Sequence, residues 1–206
     1  MLLLAALFLT ASELPALAQE SKASGTPIKI VMLGDSLTEG YGLDEEEAFP
    51  ALVEKLLREE GKNVQVINAG ISGSTTASGL SRLKWMMKSK PDWLVLALGA
   101  NDGLRGQSTE NIAKNLEEII SYAQSQNCRV LLAGMHVPTN YGKEYSEQFY
   151  SVFKRVAEKM NVPLMPFLLE SVGGVKEFNL PDGLHPNQEG HKIIAKNVAG
   201  QLKKLL

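Results

Sequence analysis

The chain has 206 residues, 44% of them hydrophobic, and a formal net charge of −2 from 21 Lys and Arg against 23 Asp and Glu. That length and apolar content suit one sizeable core in a single α/β domain. A near balance of charge without a dense Lys/Arg run argues against nucleic acid as a partner, and no apolar run reaches the ~20 residues that span a bilayer.

Residues 1–18 differ from the rest. Leu2 to Leu9 form an apolar block, and Ala16-Leu17-Ala18 before Gln19 matches a small-x-small cleavage site. The stretch reads as a secretory signal peptide, which implies a periplasmic or secreted protein. No Lys or Arg follows Met1, the one departure from that pattern, and a frayed N-terminal helix is the alternative. Residues 19–27, polar with Gly25 and Pro27, form a short lead-in, and 28–206 form the domain. Cys128 is the only cysteine, so no internal disulfide exists; its place before an apolar run marks an inert core position.

Apolar runs at 28–33, 64–67, 93–98 and 130–133 predict strands, with a weaker fifth at Pro163-Leu164-Met165. The third is apolar at every position, as a strand covered on both faces requires. Between them lie helical patterns. Phe49, Leu52, Val53, Leu56 and Leu57 share one face, and Gly61 ends that helix. Ile112, Leu116, Ile119, Ile120 and Ala123 repeat the pattern behind a Ser108-Thr109 cap. Tyr145 to Met160 carry the next stripe, closed by Asn161-Val162-Pro163, and Ile194, Val198, Leu202 and Leu205 carry the last. This alternation predicts a three-layer α/β/α sandwich around a mostly parallel five-stranded sheet with right-handed crossovers.

In such a sheet, function gathers beyond the carboxyl ends of the strands. Those ends read Gly34-Asp35-Ser36, Asn68-Ala69-Gly70-Ile71-Ser72-Gly73, Gly99-Ala100-Asn101-Asp102 and Gly134-Met135-His136. Any one of them serves as ordinary strand-to-helix punctuation: Ser36 as a helix cap, Asn101 or Asp102 as a turn tie. Four such turns on one rim are harder to dismiss, with Asp182 and His185 three residues apart and free to fold back towards it. Serine, imidazole and carboxylate are the chemical types of a serine hydrolase triad. Asp35, Asp102, Asp182 and His136 leave a second reading open, a Mg²⁺- or Mn²⁺-dependent phosphohydrolase, although no phosphate cradle accompanies them. A non-catalytic binding domain is the third.

The blocks Gly34-Asp35-Ser36-Leu37, Gly70, Gly99-Ala100-Asn101-Asp102 and Asp182-Gly183-Leu184-His185-Pro186, in that order from about residue 28 to 205, resemble those of the SGNH (GDSL) hydrolases. The resemblance is strongest to the branch of bacterial periplasmic thioesterases, lysophospholipases and arylesterases. It implies a flavodoxin-like fold and acyl transfer to water through an acyl-Ser36 intermediate. It also implies His185 as base, Asp182 as its orienting acid, and no cofactor or metal. The oxyanion donors expected on that basis are the N–H groups of Ser36 and Gly70 and the side-chain amide of Asn101. The implied substrates are small carboxylic esters or thioesters, namely aryl esters, acyl thioesters or lysophospholipids. A carbohydrate O-deacetylase with the same triad is the enzymatic alternative. A monomer or weak oligomer is expected.

His136 ends a strand on the rim and is the rival base; His185 is preferred because it alone has an acid in a fixed local frame. His136, Tyr141 and Thr75 are expected to border the substrate, whereas His191 falls within the last helix and is read as exposed or packed. Leu80, Trp85, Met86 and Met87 have the spacing of a tunnel wall but are read as core, and Asp35 and Asp102 as residues that fix turns.

Overall fold

The computed structural model describes residues 25–206; the expected signal peptide and residues 19–24 lie outside the described residues. The expected strands form β1 (Ile28–Gly34), β2 (Val64–Gly70), β3 (Trp93–Ala97), β4 (Arg129–Ala133) and β5 (Leu164–Met165). Their spatial order is β2-β1-β3-β4-β5, and every pairing is parallel. β3 is buried along its whole length and β1 along its last five residues, as central strands covered on both faces must be. Leu96, Leu98, Leu33 and Ile30 are among the largest wholly buried side chains.

Helices flank the sheet as two layers. α2 (Phe49–Glu59) packs against α7 (Gln188–Leu205); α3 (Thr76–Met86) packs against α5 (Thr109–Ser125), and α5 against α6 (Lys143–Met160). Two short helices, α1 (Ser36–Glu39) and α4 (Ala100–Leu104), begin where β1 and β3 end. The strand order reverses at β1, and the crevice between the ends of β1 and β3 is where this topology places ligands. The register aligns the floor of the crevice: Gly34 lies opposite both Gly70 and Ala97, so three strand ends stop at one level.

Three details depart from the sequence pattern. β2 runs on to Gly70, past its apolar core, because the parallel ladder with β1 continues through Asn68 and Ala69. α3 is a full helix although only Thr76, Gly79 and Leu83 of it are buried. Gly79 explains that weak stripe, since a Cβ there would run into Ile119 and Leu98, and the gap lets α3 seat closely on α5. Trp85, read as core, is 62% exposed, with the Lys88 ammonium 3.8 Å over its ring. Leu80, Met86 and Met87 do pack against the core.

One polar contact joins the two helices of the α2–α7 layer. The first N–H groups of a helix lack partners within it, and Ala48, before α2, has no side chain to offer. His191 of α7 supplies the acceptor instead: its Nδ1 takes the Phe49 N–H at 3.0 Å, in a fully buried setting. Burial pushes the His191 imidazole down to about 4. The folded protein therefore favours neutral His191, while the unfolded chain takes up the proton near 6.5. The resulting stability is present above pH 6.5 and lost as the pH falls through about 4. The stability gap between the wild type and His191→Gln, from urea titrations, is expected to be wider at pH 7 than at pH 4 by roughly 3 kcal/mol. A gap of equal size at both ends would contradict the buried neutral imidazole.

Candidate active site

β1 delivers Ser36 to the crevice. The strand ends at Gly34, Asp35 caps α1 by accepting the Leu37 N–H at 3.0 Å, and Ser36 opens the helix. Ser36 retains 9% of its surface, and its own N–H donates to no group among the described residues. The hydroxyl is thus held by a strand end and a cap, next to a free amide donor.

The opposing groups come from the segment before α7. Asn179 and Pro186 pair as an antiparallel bridge, and Leu180 N–H donates to His185 O at 2.7 Å, closing a tight turn. Gly183 takes φ +68°, a conformation that favours glycine, and so lets the turn close. Asp182 Oδ1 then accepts the N–H groups of Leu184 at 2.8 Å and His185 at 3.0 Å. Its Oδ2 meets His185 Nδ1 at 2.7 Å, and His185 Nε2 lies 3.0 Å from Ser36 Oγ across 149 residues of sequence. The backbone N–H of His185, then its ring and the N–H of Leu184, hold Asp182 down at about 2. With Nδ1–H donated to that carboxylate, Nε2 is left as acceptor for the Ser36 hydroxyl. The Tyr41 ring rests on the imidazole with centroids 4.5 Å apart, a contact the sequence reading missed.

Of the three expected oxyanion donors, the structure removes one. Gly70 N–H is already taken by Asn68 Oδ1 at 2.9 Å. Glycine is needed at 70 for another reason: a Cβ would collide with the backbone of Glu39, so the residue serves the packing of β2 against α1. Further along the same turn, Gly73 has φ +75°, and its N–H donates to no group among the described residues. Arg105 ties the turns together by donating to Gly73 O at 3.2 Å. The Asn101 side chain lines the same cleft as Ser36.

The carboxylates and His136 of the metal reading do not converge, and no group of three or more His, Cys, Asp or Glu does so among the described residues. Asp102 accepts the Thr76 N–H at 2.9 Å and its hydroxyl at 2.6 Å, tying α4 to α3. Asp35 is wholly buried, and desolvation raises it to about 6 against the pull of Leu37 N–H, its own N–H, the Asn101 amide and His185.

A cleft of about 480 Å³ opens beside Ser36, with Leu37, Leu104, Met135, Val137, Phe167 and Leu169 among its lining side chains. His136 lies in the same wall, stacked on Phe167 at 4.2 Å and meeting the edge of Tyr150 at 4.4 Å. Tyr141 and Thr75 are not in the lining, contrary to expectation. The Tyr141 hydroxyl is occupied by Leu104 O at 2.9 Å, and Thr75 precedes α3 in the neighbouring turn. Phe167 and Leu169 went unrecognised because they follow the short β5 with no motif to mark them.

Fold and site together define a hydrogen-bonded Ser-His-Asp site on a parallel-sheet scaffold, with Ser36 set at the switch point of the strand order. The chain belongs to the SGNH (GDSL) hydrolases: the model of the GDSL-like lipase/acylhydrolase family matches residues 32–193. It is 43% identical to an arylesterase of Vibrio mimicus, over 90% of this chain and 94% of that protein. It is 36% identical to the thioesterase 1/protease 1/lysophospholipase L1 of Escherichia coli (strain K12), over 86% of this chain and 84% of that one. Among solved structures, the psychrotrophic esterase EstA from Pseudoalteromonas sp., inhibited by monoethylphosphonate, superposes with a TM-score of 0.83. That match has 34% identity and covers 86% of this chain and 98% of that one.

Substitutions separate these roles. Asn101→Ala is expected to lower kcat by about 10²–10³ with little change in KM. Gly70→Ala is expected to lower the melting temperature instead, and a Gly70→Ala protein with parental Tm and a kcat reduced by that factor would restore Gly70 as a donor. His136→Ala is expected to raise KM with a smaller effect on kcat, since its ring forms the wall and lies apart from the Ser36–His185–Asp182 line.

Proposed function

We propose that the protein hydrolyses carboxylic esters and thioesters through an acyl-Ser36 intermediate, and that residues 1–18 direct it out of the cytoplasm ahead of a single domain, 28–206. The observation that carries the catalytic reading is the unbroken hydrogen-bonded line from Ser36 Oγ through His185 to Asp182. The export reading is supported by the apolar Leu2–Leu9 block and Ala16-Leu17-Ala18.

His185 Nε2 takes the Ser36 proton as Oγ attacks the carbonyl carbon. Asp182, ionised at all working pH values, stabilises the imidazolium that results. The carbonyl oxygen gains negative charge and is met by the N–H of Ser36, the Asn101 amide and, in place of Gly70, the free N–H of Gly73. The tetrahedral species collapses as His185 returns the proton to the departing alkoxide, phenolate or thiolate. Water, deprotonated by the same imidazole, then releases the acid and regenerates Ser36.

The predominantly apolar lining favours an acyl chain over a carbohydrate. Each methylene buried there contributes about 0.8 kcal/mol, or up to about fourfold in kcat/KM. A panel of p-nitrophenyl esters from acetyl to palmitoyl, with acyl thioesters and lysophospholipid, is expected to show kcat/KM rising from acetyl until the cleft is filled. Ser36→Ala should lower kcat on every substrate by roughly 10⁴–10⁶. Turnover retained in Ser36→Ala would overturn the nucleophile, and a steady fall from acetyl onwards would overturn the acyl cleft.

A further inference from the structure

We propose that Tyr41 is a positioning residue, whose ring keeps the His185 imidazole aimed at Ser36 and favours the charge that imidazole takes up during turnover. The proposal rests on the reading of His185 as base given above and assigns a role to an aromatic residue which that mechanism leaves idle.

Tyr41 is tied to both ends of the Ser36–His185 contact. Its backbone N–H and that of Gly40 both donate to Ser36 O, each at 3.1 Å. Gly40 and Gly42, on either side of it, take φ +89° and +81°, so the chain leaves α1 through a turn that favours glycine. A Cβ at Gly42 would come within 3.0 Å of Leu180 Cδ1, which places this turn directly against the one that carries Asp182 and His185. The Tyr41 ring then lies 4.5 Å from the imidazole, centroid to centroid, with 34° between their planes. The contact is ring to ring. Tyr41 is 51% exposed and is not among the residues that line the cleft.

The hydrogen bonds of the triad leave the imidazole one motion. Asp182 holds Nδ1 at 2.7 Å and Ser36 holds Nε2 at 3.0 Å, and a ring held at two points still rolls about the line between them. Once Ser36 is acylated its hydroxyl no longer holds Nε2, and the Asp182 bond alone has to aim the base at incoming water. A flat ring against one face opposes the roll in both states. The face of that ring also carries the negative part of its quadrupole, which attracts the imidazolium formed as His185 takes the proton. Neither effect involves contact with the bound ester, so both act on kcat and not on KM.

Three variants and one double variant test this. Tyr41→Phe keeps the ring and should hold kcat within about twofold of the wild type. Tyr41→Ala and Tyr41→Leu should each lower kcat by about 10- to 10²-fold with KM nearly unchanged, and by the same factor on acetyl and longer acyl p-nitrophenyl esters. Leucine keeps apolar cover without a flat face, and it serves where the alanine variant fails to fold. In a His185→Ala background, Tyr41→Ala should change the residual rate of Ser36 labelling by a p-nitrophenyl phosphonate by less than about twofold, because no imidazole remains to be held. A loss in Tyr41→Phe as large as in Tyr41→Ala, wild-type kcat in Tyr41→Leu, an effect confined to KM or varying with acyl length, or losses that multiply in the double variant would overturn the proposal. Unchanged kcat in Tyr41→Ala beside an inactive His185→Ala would refute Tyr41 alone, whereas full turnover in His185→Ala would refute the base itself.

Discussion

The structure depends on a 3.0 Å contact between a hydroxyl near the start of the domain and an imidazole near its end, separated by 149 positions in the chain. Neither partner can reach the other by local geometry. β1, an interior strand of the sheet, fixes one side; the turn that leads into α7 fixes the other. α7 is held to α2 by packing and by the buried His191–Phe49 bond, and α2 follows β1 in the chain. The distance between the Ser36 hydroxyl and the His185 imidazole is thus set by one helix layer lying on one sheet. Core substitutions far from the crevice can shift it, since close-packed interiors transmit strain.

Two carboxylates stand beside this contact in opposite environments. Asp182 is largely open to solvent yet surrounded by donors, which keep it charged at about 2. Asp35 is sealed from water, and one of its oxygens has no partner, so burial lifts it to about 6. The same functional group is held as an anion by surrounding donors in one place and pushed towards its neutral form by burial in the other. Environment, and not residue type, divides the roles.

Much of this arrangement was legible in the residues. The strands declared themselves through short apolar runs, and the burial of β3 on both faces followed from Trp93 to Leu98 being apolar throughout. The turn residues Ser36, Asn101, Asp182 and His185 were singled out by their resemblance to the SGNH blocks, since Asp35, Asn68, Asp102 and His136 stand at the same strand ends and any one turn serves as ordinary punctuation. What stayed hidden has physical causes. A glycine does not say whether it frees an N–H or merely clears space, so Gly70 was assigned a role that the Asn68 side chain precludes. α3 offers little stripe because its contact is made through Gly79, and Trp85 lies outside that contact. Tyr41, Phe167 and Leu169 reach the site through the fold, without a spacing that marks them.

The most direct measurement is covalent. A p-nitrophenyl phosphonate should react once per chain, releasing one equivalent of p-nitrophenol, with peptide mass spectrometry placing the phosphonyl group on Ser36; His185→Ala should slow the reaction by several orders of magnitude. An adduct on another residue, or labelling at Ser36 that proceeds equally fast without the imidazole, would contradict the account.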